Sequence, residues 1–167
     1  MNEIETLLAG VSIVLVRPKY MENIGSAARA ACTMGLGKLV VVGNRPPDLE
    51  PALKTATHNA AYLVHGIIYH DTVEAAVAGF SLVVGTTARR GRQRMAMVKA
   101  AELAGFVLPA LSQGPVALVF GPEDTGLSNL ELAWCGLVMT IPTSSRFSSI
   151  NLAQSVMIAC YELYQGT

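Results

Sequence analysis

No stretch of this chain stays apolar for the roughly eighteen residues that a membrane-spanning helix needs, although 51% of its 167 residues are hydrophobic and its mean hydropathy is +0.43. The expectation is a protein without a membrane segment whose apolar surplus is buried against a partner, most simply a second copy in a homodimer. The acidic opening MNEIETLL lacks the basic n-region of a secretory signal. Cysteines are few: Cys32, Cys135 and Cys160 are odd in number, widely spaced and set among apolar neighbours. That pattern argues against a disulfide framework or a zinc site, and for reduced, buried thiols in the cytoplasm. His58, His65 and His70 show no HExxH-type spacing and have no cysteine beside them, so no metal is expected.

Familiar nucleotide and hydrolase signatures are missing too. The absence of GxxxxGK[ST] argues against a P-loop nucleotidase, no GxGxxG follows the first strand, and no GxSxG elbow occurs. Twelve basic residues balance twelve acidic ones, so net charge gives no sign of a polyanionic partner. Their distribution does. Arg89, Arg90, Arg92, Arg94 and Lys99 gather five of the twelve cations, and between Asp71 and Glu102 the only acidic residue is Glu74. Such a run reads either as a solvated loop or as a phosphate contact.

What is present is a regular alternation of short apolar runs with helical segments. VSIVLV (11–16), KLVVVG (38–43), GIIYH (66–70), SLVVGTT (81–87), PVALVFG (115–121) and GLVMTI (136–141) read as six strands. The spacing predicts helices over 23–34, 52–64, 99–111 and 150–164. Two shorter helices are announced by capping-box patterns, one at Asp71 to Glu74 and closed by Gly79, the other at Ser128 and Glu131. Unbroken apolar strands alternating with helices indicate an α/β fold with a mostly parallel sheet covered by helices on both faces. No internal repeat, low-complexity tract or second domain is visible, so residues 1–167 are read as one domain. The last helix carries two adjacent apolar stripes, Ile150, Ala153, Met157, Cys160 and Tyr164 beside Leu152, Val156, Ala159 and Leu163. An arc that wide fits either a deeply buried core helix or a dimer surface.

Ligands of parallel sheets bind beyond the carboxyl ends of the strands. Three polar or glycine-rich loops lie there, after Gly85, after Phe120 and after Ile141, the last being the hydroxyl-rich IPTSSRFSSINLAQ (141–154). Their convergence would make a pocket lined by Thr86, Thr87, Gly121, Glu123, Ser148, Ser149 and Asn151, suited to a polar small ligand. On the residues alone, blander roles stand beside this one. Asn23 reads equally as a helix cap, Glu123 as an acceptor for loop N–H groups, and Ser149 as the N-cap of the last helix.

Three stretches taken together carry a resemblance. NIGSAARAACTMGL (23–36), LVFGPEDTGLSN (118–129) and IPTSSRFSSINLAQSV (141–156) resemble, in order, the three motifs of the SPOUT RNA methyltransferases. GTTAR (85–89) and the SSINLAQ form of the third motif are most similar to the TrmJ-like tRNA ribose methyltransferases of that family. The resemblance implies a SPOUT-type α/β knot whose C-terminal segment threads a deep trefoil, an exception to the rule that chains avoid knots. It implies a homodimeric enzyme that uses S-adenosylmethionine to methylate a ribose 2′-hydroxyl in RNA, a pyrimidine of the tRNA anticodon loop being the expected target. A ribose elsewhere in tRNA or ribosomal RNA is the alternative substrate, and a non-catalytic RNA-binding module the alternative class. The further C-terminal helical extension common in TrmJ-like enzymes has no counterpart before Thr167.

By the same resemblance, Thr86, Thr87, Ala88, Gly121, Ile141, Ser148, Ser149, Ile150 and Leu152 hold the cofactor, Ile141 and Leu152 walling its adenine. Asn23, Arg29, Glu123, Ser149 and Asn151 match the polar positions around the reacting ribose. In the family this arginine is proposed to help deprotonate the 2′-hydroxyl. A guanidinium with a pKa above about 12 is a poor base, so electrostatic positioning of the nucleotide and its developing alkoxide is the reading adopted. Arg89, Arg90, Arg92 and Arg94, extended by Arg17 and Lys19, form the expected RNA track, in a dimer partly from the opposite subunit.

Overall fold

The apolar runs pair with one another because a parallel strand covered on both faces must be apolar on both. In the computed structural model, which describes residues 1–88 and 95–167, the strands are β1 (Val11–Val16), β2 (Lys38–Val42), β3 (Ile68–His70), β4 (Leu82–Thr86), β5 (Met97–Lys99), β6 (Val116–Phe120) and β7 (Leu137–Thr140). These described strands form one seven-stranded sheet, order β3-β2-β1-β6-β4-β7-β5, with every pair parallel. The expected α/β sheet is therefore observed, and it is parallel throughout.

Alternate residues of each central strand feed two cores. Val11, Ile13 and Leu15 of β1 join Leu118 and Phe120 of β6 on one face, while Val14 and Val16 join Ala117 and Val119 on the other. The first face is covered by α2 (Met21–Thr33), α3 (Glu50–His65), α5 (Leu103–Ala110) and α7 (Leu152–Gln165), with α1 (Glu3–Leu8) at its margin. The second carries α4 (Val73–Val77) and α6 (Asn129–Leu132). Each fully buried Leu, Ile or Val contributes about 1.5–3 kcal/mol, so the long apolar β1 and β6 form the centre from which the loops project.

The small-residue face of α2 has a specific use. A Cβ on Gly25 would lie 1.9 Å from the Ala52 carbonyl oxygen, so α3 reaches α2 only because that position is glycine. The Thr55 hydroxyl seals the contact by donating to the Glu22 carbonyl at 2.8 Å. Since α2 also packs on α7, its first turn is fixed relative to the loop that enters α7.

Five local expectations change. The helix expected over 99–111 is a short edge strand, β5, then a 3-10 turn at Ala100–Glu102 and α5. Met97 to Lys99 become strand because they pair with Val138 to Thr140 at the sheet edge, a long-range contact no local spacing reveals. Thr72 caps α4 through Ala75, so Asp71 and Glu74 make no reciprocal box. At α6, Ser128 caps Glu131, but the Glu131 carboxylate turns to Ser128 Oγ and to Arg17. The last helix starts at Leu152 with Asn151 as N-cap, so Ser149 does not cap it. Asn23 likewise is no cap, because α2 begins two residues earlier at Met21.

Candidate functional site

Strands β6, β4 and β7 are neighbours, so their carboxyl ends lie side by side and the loops that follow them must meet. They enclose an open cavity of about 270 Å³. Thr86, Thr87 and Ala88 form the wall after β4, Gly121 and Glu123 the wall after β6, and Ile141, Ser148, Ser149 and Ile150 the wall between β7 and α7. Leu152, in the first turn of α7, closes it. All nine residues singled out for the cofactor are thus brought to one surface. Sequence reasoning missed Leu127, Met139 and Ser155, which also line it. Leu127 lies on a loop, Met139 in a strand and Ser155 inside a helix, so nothing in their local pattern marks them.

Local chemistry shapes each wall. The Thr86 hydroxyl donates to the Val119 carbonyl at 3.0 Å and Thr87 N–H to the Met139 carbonyl at 3.0 Å, tying the β4 exit to both neighbouring strands. Gly121 stands where the loop doubles back: a Cβ there would fall 2.2 Å from Gly126 C and Leu127 N. Only a glycine leaves room for that return.

Beside the cavity the first turn of α2 meets the entry to α7. The Asn151 carboxamide oxygen caps α7 by accepting from Ala153 and Gln154 N–H at 2.9 and 3.2 Å, and its Nδ2 donates to Asn23 Oδ1 at 3.1 Å. Asn151 therefore sits next to the cavity without lining it, bonded to the other asparagine expected near the ribose. Glu123 is held still more firmly. Its carboxylate accepts Lys19 N–H at 2.8 and 2.9 Å and Tyr20 N–H at 2.9 Å, the loop-acceptor role that the residue alone suggested. A carboxylate satisfied by two backbone donors clamps the turn before α2 onto the cavity wall.

The cations behave differently. Arg29 is exposed on α2, does not line the cavity and makes no ion pair with a described residue. Arg17 reaches Glu131 at 2.7 Å, a long-range pairing that the Ser128 cap of the same glutamate does not reveal. Lys19 Nζ lies 3.7 Å from Asp124 and over the Tyr20 ring, 5.8 Å from its centroid. Arg89, Arg90, Arg92 and Arg94 lie outside the described residues.

Residues 10–161 match the SpoU rRNA Methylase family. The chain belongs to that family. It is 39% identical over 158 residues to the tRNA (cytidine/uridine-2′-O-)-methyltransferase TrmJ of Sodalis glossinidius, an alignment spanning 94% of this chain and 61% of that protein. The chain thus matches about three fifths of that curated relative's length. A probable methylase family protein from Haemophilus influenzae superposes with a TM-score of 0.87 at 36% identity, covering 95% of this chain and 66% of the other. A structure described as giving insights into the 2-OH methylation of C/U34 on tRNA superposes with a TM-score of 0.72 at 25% identity, covering 93% and 95%.

Two of the three thiols are sealed in the core. Burial pushes Cys135 up to about 11, with Glu131 nearby adding to the effect, and pushes Cys160 up to about 12. Both are protonated and unreactive near neutral pH, whereas Cys32 is half-buried.

Proposed function

We propose that this chain is an S-adenosylmethionine-dependent RNA 2′-O-ribose methyltransferase acting on a pyrimidine ribose in the tRNA anticodon loop. The observation that carries the reading is the meeting of three glycine- and hydroxyl-bearing loops in one cavity at the carboxyl edge of the sheet, in a chain of the SpoU methylase family. The tRNA activity named for the Sodalis relative and the C/U34 methylation described for the third comparison support the substrate.

The residues present fit the cofactor. Ile141, Leu152 and Met139 offer apolar walls to an adenine, and the Gly121 turn leaves the space that a side chain would fill. Thr87, Ser148 and Ser149 offer hydroxyls for its polar groups. When bound, S-adenosylmethionine would supply the activated methyl group for the ribose 2′-oxygen. Glu123 holds the Lys19–Tyr20 turn, and so α2, at the cavity rim. Asn23 and Asn151 present a paired amide surface beside it for the incoming ribose. Arg29 holds the nucleotide phosphate and lowers the cost of the developing alkoxide; a guanidinium does this without giving up a proton.

Single-chain geometry leaves Arg29 off the cavity, which supports a homodimer in which the opposite subunit delivers it. Met157, Ile158, Tyr161 and Tyr164 leave part of α7 uncovered, and that face is the proposed dimer surface. The place of β7 between β4 and β5 supports a trefoil threading of the segment after it, in a single catalytic domain. No described helix is long and apolar enough to cross a membrane, and a tRNA substrate supports a cytoplasmic site of action.

The test incubates the protein with methyl-labelled S-adenosylmethionine and bulk tRNA, then digests the RNA to nucleosides. Label in a 2′-O-methylated pyrimidine is expected. Label on a base rejects the reaction, and label only when ribosomal RNA replaces tRNA rejects the substrate. Binding of tRNA with no transfer leaves the non-catalytic module.

A further inference from the structure

Two exposed aromatic rings stand on the two segments that the Asn23–Asn151 hydrogen bond joins. Tyr20, 52% exposed, directly precedes α2, and Phe147, 74% exposed, directly precedes the cavity-lining Ser148 and Ser149. Both rings are left to water, and the main chain that carries Tyr20 is held in place. Its N–H donates to Glu123 Oε2 at 2.9 Å, and its carbonyl accepts Asn23 N–H at 3.1 Å. The Lys19 ammonium lies 5.8 Å from the ring centroid. A cation so placed polarises the ring, and its own charge suits a neighbouring phosphate. The Tyr20 hydroxyl donates to no described residue.

We propose that Tyr20, aided by Phe147, is a stacking platform for an unstacked base of the RNA strand whose ribose enters the cavity. The proposal rests on the RNA-methyltransferase reading and deepens it. A ribose 2′-hydroxyl reaches a cavity at the end of a sheet only if its nucleotide leaves the stack, and the exposed base then needs a new π surface. Aromatic rings supply one without reading base identity. The backbone bonds fix where Tyr20 leaves the chain, and Phe147 stands on the same loop as Ser148 and Ser149.

The test uses the full chain with Tyr20→Ala, Tyr20→Phe and Phe147→Ala. Three quantities are measured: S-adenosylmethionine affinity by calorimetry, direct binding of unmodified tRNA at several salt concentrations, and the tRNA KM for methyl transfer. Tyr20→Ala should weaken tRNA binding and raise KM about 10-fold, with the salt slope and cofactor affinity kept. Phe147→Ala should lose about 3- to 10-fold, and Tyr20→Phe, which retains the ring, should recover most of the loss. Unaltered tRNA affinity in Tyr20→Ala overturns the platform, as does a Tyr20→Phe variant that is equally impaired. Direct binding separates the two readings. Wild-type transfer with an unaffected Tyr20→Ala variant defeats the platform and leaves the enzyme, while tRNA binding that Tyr20→Ala weakens, in a protein whose wild type transfers no methyl, defeats the enzyme and leaves the platform.

Discussion

The cavity beyond β4, β6 and β7 is walled by loop backbone, glycine and hydroxyls, whereas the surface at the start of α2 is built from charged and amide side chains that hold one another. The first is pinned by the sheet: Thr86 and Thr87 bond to adjacent strands, and Gly121 lets its loop fold back against Gly126 and Leu127. The second is pinned by side chains, with Glu123 gripping two backbone N–H groups and Asn151 gripping Asn23. One chain therefore completes the proposed cofactor half. The proposed ribose half stays open on one side, where Arg29 is exposed and lines no part of the cavity.

If the halves divide the work in that way, removing Arg29 is the largest single loss. Arg29→Ala should reduce methyl transfer by about 100-fold or more, the scale of losing a charged stabiliser at a reaction centre. Cofactor affinity, read by calorimetry, should stay within about two-fold because Arg29 lines no part of the cavity. A parallel loss of cofactor binding would erase the distinction between the two halves.

The two regions were unequally legible in the sequence. Strand edges came within about two residues, because a buried parallel strand must be apolar on both faces and these runs are bounded by glycine or polar residues. The cavity followed from the strands, since a loop at a carboxyl end has few other places to go. Edge strand β5 was missed because Met97 to Lys99 become strand only by pairing with β7, a partner about forty residues on. The side-chain clamps were hidden for the same reason. Glu123 finds Lys19 and Tyr20, and Glu131 finds Arg17, across more than a hundred residues. No local spacing encodes those meetings: Ser128 with Glu131 marks the start of α6 correctly, yet nothing beside it announces the Arg17 partner.

Glu123 lines the cavity and also holds the α2 side, so it tests whether the regions are coupled. Two backbone N–H groups, those of Lys19 and Tyr20, engage both oxygens of its carboxylate. Glu123→Ala should lower kcat/KM for RNA about 10- to 100-fold, as loss of bonds to a charged group implies. The same substitution should speed amide hydrogen exchange at Lys19 and Tyr20 at least 10-fold, detectable by mass spectrometry. Equal loss of activity with unchanged exchange would make Glu123 a participant in the chemistry, not the clamp between the halves.

Arg17 offers the smallest and finest test. The sequence places it on the RNA track with Lys19, yet it is paired with Glu131, whose side chain is 13% exposed against 54% for the arginine. Glu131 Oε2 is buried with no hydrogen-bond partner among the described residues, so its charge leans on the Arg17 contact at Oε1 and on the Ser128 hydroxyl. Removing the arginine strands a mostly buried carboxylate, which costs more than losing an exposed surface pair. Arg17→Ala should then lower stability by about 1–2 kcal/mol in urea unfolding, with the salt slope of tRNA binding unchanged. A phosphate contact gives the reverse pattern: unchanged stability and a slope shallower by about one. The two measurements move in opposite directions, so one variant decides whether this arginine belongs to the scaffold that shapes the α2 side or to the surface that meets RNA.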